Sequence, residues 1–208
     1  MASPGLGERR VAPSGRQSVV AVFGSSTIQV SDPAYREIQD LGAELAGRGL
    51  AVMTGGYGGA MEAASRGARE AGGRVIGVTV ELFERRGPVN PWVNERVHTP
   101  DLFARLKHLV HDADAFVAVT GSIGTLTELF LSWTMLSVSA RPQAPLVLMG
   151  GHWRPWLEAH REPEFVPGHL FRFVEVADTP KATAKAVVEA LGRNGRATAA
   201  EASREVPR

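Results

Sequence analysis

The chain has 208 residues, a formal net charge of +1 and 44% hydrophobic residues, which suits one α/β domain with a full core. Charges of both signs are interspersed rather than blocked, and no apolar run reaches the length of a membrane span, so no nucleic-acid or membrane partner is expected. With no cysteine, disulfides, a thiol nucleophile and cysteine-ligated zinc or iron–sulfur centres are excluded. Residues 1–17 are rich in Gly, Pro, Ser and Arg and lack the apolar core of a signal peptide; a disordered N-terminal tail on a cytoplasmic protein is expected.

Residues 18–23 form a continuous apolar run, the mark of a strand buried on both faces, ending at Gly24-Ser25-Ser26. Asp32-Pro33 reads as a helix start, with Tyr35, Ile38, Leu41 and Leu45 at helical spacing and Gly49 beyond the end. The next strand covers 50–53. A glycine turn, Thr54-Gly-Gly-Tyr-Gly-Gly-Ala-Met61, then opens a helix to about residue 71. Residues 74–80 form the third strand. Residues 82–94 show no period and carry two prolines, so they read as a loop. A short strand at 96–98 precedes a helix at 101–111, with Leu102, Leu106, Leu109 and Val110 expected inward. The strand 115–119 breaks at Gly121 and Gly124 and continues into a helix ending near residue 140. On that helix Trp133, Met135 and Leu136 suit either the core or a subunit interface, where Trp and Met are enriched. A strand at 145–149, a short helix at 153–160, a strand at 171–176 and a helix from 179–180 to about 191 complete the pattern, with a disordered tail at 192–208.

Alternating strands and helices predict a single doubly wound α/β domain over 18–191, its mostly parallel sheet covered by helices on both faces. Ligands of such sheets bind beyond the carboxyl ends of the strands, where all three glycine or serine turns lie. The turn before the 123–140 helix suits an anion: N–H groups of the first helical turn point one way, the dipole favours negative charge, and Thr125 adds a hydroxyl. Glu128 lies one turn further on, where like charge would repel a phosphate. It is therefore a salt-bridge partner or a chemical group. No G-x-G-x-x-G follows the first strand, and no acid ends the second to hold a ribose hydroxyl. No Gly-Lys-Ser/Thr occurs either, so NAD and P-loop chemistry are disfavoured. The lysines Lys107, Lys181 and Lys185 follow no glycine turn, and the six histidines show no metal-ligand spacing. Neither cofactor nor metal is expected.

In order and spacing these motifs resemble the LONELY GUY (LOG) family, often labelled lysine decarboxylases, over about residues 19–176. The family's G-S-S strand end stands here as Gly24-Ser25-Ser26, and its G-G-x-x-G-x-M turn as Gly55-Gly56-Tyr57-Gly58-Gly59-Ala60-Met61. Its V-I-G-V strand is Val75-Ile76-Gly77-Val78. Its M-x-x-R-K helix and P-G-G-x-G-T-x-x-E turn correspond to Leu102-Phe103-Ala104-Arg105-Leu106 and Thr120-Gly121-Ser122-Ile123-Gly124-Thr125-Leu126-Thr127-Glu128. The resemblance implies a Rossmann-like homodimer that hydrolyses AMP or N6-substituted AMP, a cytokinin nucleotide, to the free base and ribose 5-phosphate. It implies Arg105 and Glu128 as the catalytic pair. It implies nucleotide binding by Gly24, Ser25, Gly55, Gly56, Gly58, Gly59, Gly121, Ser122, Ile123, Gly124 and Thr125, with Thr134 near the base. Thr120, Ser122, Leu106 and Thr127 depart from the family's proline, glycine, lysine and glutamate. Leu106 removes a cation from the phosphate region. The alternative reading is a molybdenum-cofactor or nucleotide carrier of the same fold, without hydrolysis.

Overall fold

The computed structural model describes residues 16–204 apart from 86, 141–143, 163 and 165, with side chains to residue 194. Seven strands form one sheet: β1 (Val19–Phe23), β2 (Ala51–Thr54), β3 (Val75–Val80), β4 (Glu95–Thr99), β5 (Ala115–Ala118), β6 (Leu146–Met149) and β7 (Val174–Ala177). Their order is β4-β3-β2-β1-β5-β6-β7 and every pairing is parallel. The five inner strands are buried throughout, whereas the edge strands β4 and β7 expose Glu95, Arg96, His98 and Glu175. Charged edges of this kind discourage pairing with further strands.

Successive side chains of a strand point to opposite faces, and the core divides accordingly. Val20, Val22, Val52 and Val117 meet helices α1 (Pro33–Gly47), α2 (Ala60–Glu70) and α7 (Pro180–Arg204) through Ile38, Leu41, Ala64, Ala68 and Val187. Val19, Ala21, Phe23, Met53 and Phe116 meet α4 (Leu102–His111), α5 (Ile123–Ser137) and α6 (Trp153–Ala159) through Leu109, Leu129, Trp133, Leu136 and Trp153. The fold is thus Rossmann-like and doubly wound. From β1 the chain winds outward through β2 to β4, then returns to β5 on the other side of β1 and winds the opposite way. The winding reverses at the carboxyl ends of β1 and β5, the place where sheets of this kind bind their ligands.

Helices α1 and α2 cross at glycine. A methyl on Gly67 would lie 1.8 Å from the Gln39 carbonyl oxygen, and one on Gly42 would lie 2.1 Å from the Ala64 carbonyl oxygen. Backbone atoms cannot yield as a flexible side chain can. Gly67→Ala is therefore expected to destabilise the fold by at least about 1–3 kcal/mol, the usual cost of overpacking. Around Gly47, also on α1, nothing lies within 4 Å, so Gly47→Ala should leave stability unchanged or slightly raised. Melting temperatures of the two variants check this; equal melting points would contradict the close crossing.

Four segments differ from the sequence reading. The 82–94 loop begins with one helical turn, α3 (Glu81–Glu84), whose acidic residues suit a helix start before Pro88 and Pro91 stop it. The last strand begins three residues later than expected, because a 3-10 turn covers Gly168–Phe173. Phe171 is buried edge-on against Trp133, whose Nε1 donates to the Leu170 carbonyl at 3.0 Å, so this stretch is held on α5 instead of in the ladder. Helix α7 continues to Arg204, well past residue 191. The alanines at 197, 199, 200 and 202 favour helix in the stretch read as a tail. The tail expected at 192–208 is thus helical as far as 204, while residues 1–15 and 205–208 lie outside the described residues. On α4, Leu102 is exposed and Leu106 half-buried, whereas the charged Arg105 is buried. On α5, Trp133 and Leu136 belong to the core and Met135 packs against its edge.

Candidate functional site

The three turns meet on the carboxyl rim of the sheet and are hydrogen-bonded together. Ser25 N donates to the Thr120 carbonyl (3.1 Å), and Ala60 N donates to the Ser25 carbonyl (2.8 Å). Below the rim, the buried Thr54 hydroxyl accepts from Gly56 N at 3.1 Å. Tyr57 turns inward, where its hydroxyl donates to the Val80 carbonyl (2.7 Å) and accepts from Val80 N (2.9 Å). Asn90, from the segment after α3, closes over this turn: its N donates to the Gly56 carbonyl (2.9 Å) and its Nδ2 to the Tyr57 carbonyl (3.0 Å).

Helix α5 starts at the rim. The N–H groups of Ile123, Gly124 and Thr125 precede the first intrahelical bond, from Leu126 N to the Ser122 carbonyl. Gly121, Ser122, Ile123 and Gly124 are all exposed, so the start of the helix stands at the protein surface. Thr125 is buried, and its hydroxyl occupies the space a side chain on Gly121 would need: a methyl there would lie 2.1 Å from Thr125 Oγ1. Thr127 turns its hydroxyl back to the Ile123 carbonyl (2.9 Å).

Glu128 faces Arg105, which projects from α4. Asp101 caps α4, its carboxylate accepting from Ala104 N at 2.8 Å, and so fixes the first turn from which Arg105 projects. Arg105 is 5% exposed. Its Nε donates to the Val78 carbonyl (2.9 Å) and its Nη1 lies 3.4 Å from Glu128 Oε1. Its Nη2 fills the place of a side chain at Gly55, where a methyl would be only 1.8 Å away. Gly55 is thus the residue that admits the guanidinium.

The Glu128 side chain is 12% exposed. Burial pushes its carboxyl up to about 7, and the neighbouring Arg105 cation opposes that rise. Burial also lowers Arg105 from its ordinary value, with Glu128 holding it up. The arrangement is an anion-sized row of backbone donors at the lip. Just behind it stands a carboxylate able to gain or lose a proton near neutral pH.

A family model described as a possible lysine decarboxylase matches residues 61–187. The chain belongs to this family, the LOG family. A cytokinin riboside 5′-monophosphate phosphoribohydrolase of Mycobacterium tuberculosis is 29% identical over 175 residues, covering 78% of this chain and 93% of the relative. A pyrimidine/purine nucleotide 5′-monophosphate nucleosidase of Escherichia coli is 32% identical over 142 residues, covering 64% of this chain and 31% of that longer protein. Among solved structures, the molybdenum cofactor binding protein of Rippkaea orientalis superposes with a TM-score of 0.67 at 25% identity, covering 85% of this chain and 98% of that one.

In this LOG-family chain Lys107, Lys181 and Lys185 are exposed on α4 and α7. Of the predicted nucleotide-binding residues, Gly24, Ser25 and Gly58 are half-buried, whereas Gly55, Gly56 and Gly59 are buried beneath the rim. Thr134 is not brought to the carboxylate. It lies about 9 Å along α5 from Glu128, at 1.5 Å per residue, and is exposed. Sequence reasoning missed Tyr57, Phe83 and Asn90, which build the wall behind Arg105. Tyr57 and Asn90 sat among turn residues, and the one apolar signal at Phe83 was too short to show a period.

Proposed function

We propose that this chain is a cytoplasmic nucleoside 5′-monophosphate phosphoribohydrolase that cleaves the N-glycosidic bond of AMP or an N6-substituted AMP. The observation that carries this reading is the placement of Glu128. It is a mostly buried carboxylate about 4.5 Å along the helix axis from Thr125, the last residue of the N–H cradle. With the 5′-phosphate on that cradle, the carboxylate faces the sugar. As the C1′–N bond breaks, its electrons leave with the base and positive charge builds on the ring. Ionised Glu128 stabilises that charge and takes a proton from the water whose oxygen bonds to C1′, and that proton passes to the departing base, which leaves neutral. Arg105 keeps Glu128 substantially ionised despite its burial. The names of the M. tuberculosis and E. coli relatives support the same chemistry.

The raised carboxyl sets the pH dependence. Since ionised Glu128 is the working form, kcat/KM should fall about tenfold per unit below a midpoint near pH 7, and Glu128→Gln should abolish this limb. The stability effect has the opposite sign. The unfolded carboxyl ionises near 4.5 and the folded one near 7, so its contribution is present below pH 4.5 and lost as pH rises towards 7. At 1.36 kcal/mol per unit the loss amounts to about 3 kcal/mol. Melting curves of the two proteins from pH 4 to 8 check this: the native protein should gain on the variant as the pH falls. Parallel curves would contradict the raised carboxyl.

A homodimer through α4 and α5 belongs to the same proposal. Phe103 is 84% exposed, Leu102 and Phe130 are exposed on the same two helices, and Val138 is exposed just past the end of α5. Light scattering at micromolar concentration should give about twice the 22.2 kDa chain mass; a monomer would contradict it.

The second reading is a carrier. The likeness to the molybdenum cofactor binding protein favours it, as do Leu106 and the turned-back Thr127 hydroxyl. A thermal-shift panel of nucleotides and phosphorylated pterins beside a base-release assay separates the two. Stabilisation without product marks the carrier.

A further inference from the structure

The Arg105 guanidinium is held from three sides. The Val78 carbonyl takes its Nε–H and Glu128 faces its Nη1. On the third side Cζ lies 5.4 Å from the centroid of the Phe83 ring, within the range at which a cation is attracted to an aromatic face. Phe83 belongs to α3, in the segment that carries no sequence period, and its own position is fixed. Its ring meets Tyr57 edge-on, centroids 6.1 Å apart at 77°, and Tyr57 is pinned through both polar groups of Val80. Glu84, next in the chain, is ion-paired with Arg96 on β4, and Arg96 Nε donates to Thr79 Oγ1 at 2.9 Å. Beyond α3, Asn90 ties the segment to the second glycine turn.

We propose that Phe83 is a positioning residue: its ring covers the open face of the Arg105 guanidinium and fixes the plane in which Nη1 meets Glu128. The α3 turn is thereby part of the site and not a passive connection. A guanidinium without that ring keeps the Val78 bond as its one close anchor and is free to rotate towards solvent. The contact of 3.4 Å to Glu128 is long for a charge-assisted hydrogen bond, which puts the orientation of the plane on its flanking groups. The bearing on turnover rests on the hydrolase reading above; the bearing on Arg105 itself does not.

The test uses Phe83→Ala, Phe83→Leu and Phe83→Trp in the full chain. The first readout is solvent exchange of the Arg105 Nε–H proton by NMR, assigned by its absence in Arg105→Lys. The second is kcat and KM for base release from AMP. Melting temperature and exchange of the β1 and β5 amides serve as controls. In Phe83→Ala, Nε–H exchange should rise at least tenfold and kcat fall at least tenfold, with KM within threefold and the controls unchanged. Phe83→Leu should fall between, and Phe83→Trp should restore both. Nε–H exchange that rises no more than that of the core amides overturns the proposal, as does faster exchange in an active enzyme whose kcat is unchanged. If the native protein releases no base from any nucleoside 5′-monophosphate, the hydrolase reading fails. The exchange measurement then decides the role of Phe83 alone.

Discussion

Glu128→Gln is expected to lower turnover of AMP by two or more orders of magnitude while nucleotide affinity stays the same or tightens slightly. The amide keeps the size of the side chain and part of its hydrogen bonding, but it cannot carry the charge that offsets an oxocarbenium-like sugar. A hundredfold loss corresponds to about 2.7 kcal/mol of transition-state stabilisation, at 1.36 kcal/mol per decade. Binding should survive because, in the proposed pose, the phosphate meets the backbone donors of Ile123, Gly124 and Thr125, not the carboxylate, and a nearby anion is removed. Kinetics and calorimetry on the same preparation check both halves. Near-normal turnover with a lowered melting point would leave Glu128 as a structural ion-pair partner.

Arg105→Ala should weaken binding and turnover together. It removes the cation that faces Glu128 at 3.4 Å, so the buried carboxyl rises beyond 7 and is largely protonated at neutral pH. Moving the acid limb of kcat/KM up by one unit costs about tenfold at pH 7 on ionisation alone. Lost orientation of the site adds to that, for a combined loss of about a hundredfold. Stability suffers less than for most broken buried pairs, because the carboxyl neutralises itself by taking a proton. Gly55→Ala should act in the same direction, since its methyl would take the place of Nη2. A pH profile of Arg105→Ala with an unmoved limb would contradict the coupling of the two side chains.

The sheet was legible in the sequence because its inner strands are buried on both faces and so read as unbroken apolar runs between glycine turns. Residues 19–23 and 115–118 are clear cases. The elements misread were those whose form is set by distant partners. Residues 171–173 look like strand until Trp133 claims the Leu170 carbonyl. Leu102 has the spacing of a core residue, yet the buried position on α4 goes to Arg105, which a sequence pattern assigns to solvent. The candidate pair itself was reached through motif order. Its geometry was not, because the Val78 carbonyl, the Gly55 gap and the Phe83 ring come from three separate elements.

The central claim is that Glu128 and the donor row before it break a ribose–base bond. Chromatography of AMP incubated with the native protein and with Glu128→Gln tests it most directly. The native protein should yield adenine and ribose 5-phosphate in equal amounts while leaving adenosine nearly untouched, and Glu128→Gln should yield neither product at a comparable rate. AMP that raises the melting temperature of the native protein yet is recovered intact would contradict the claim and leave a nucleotide-binding carrier.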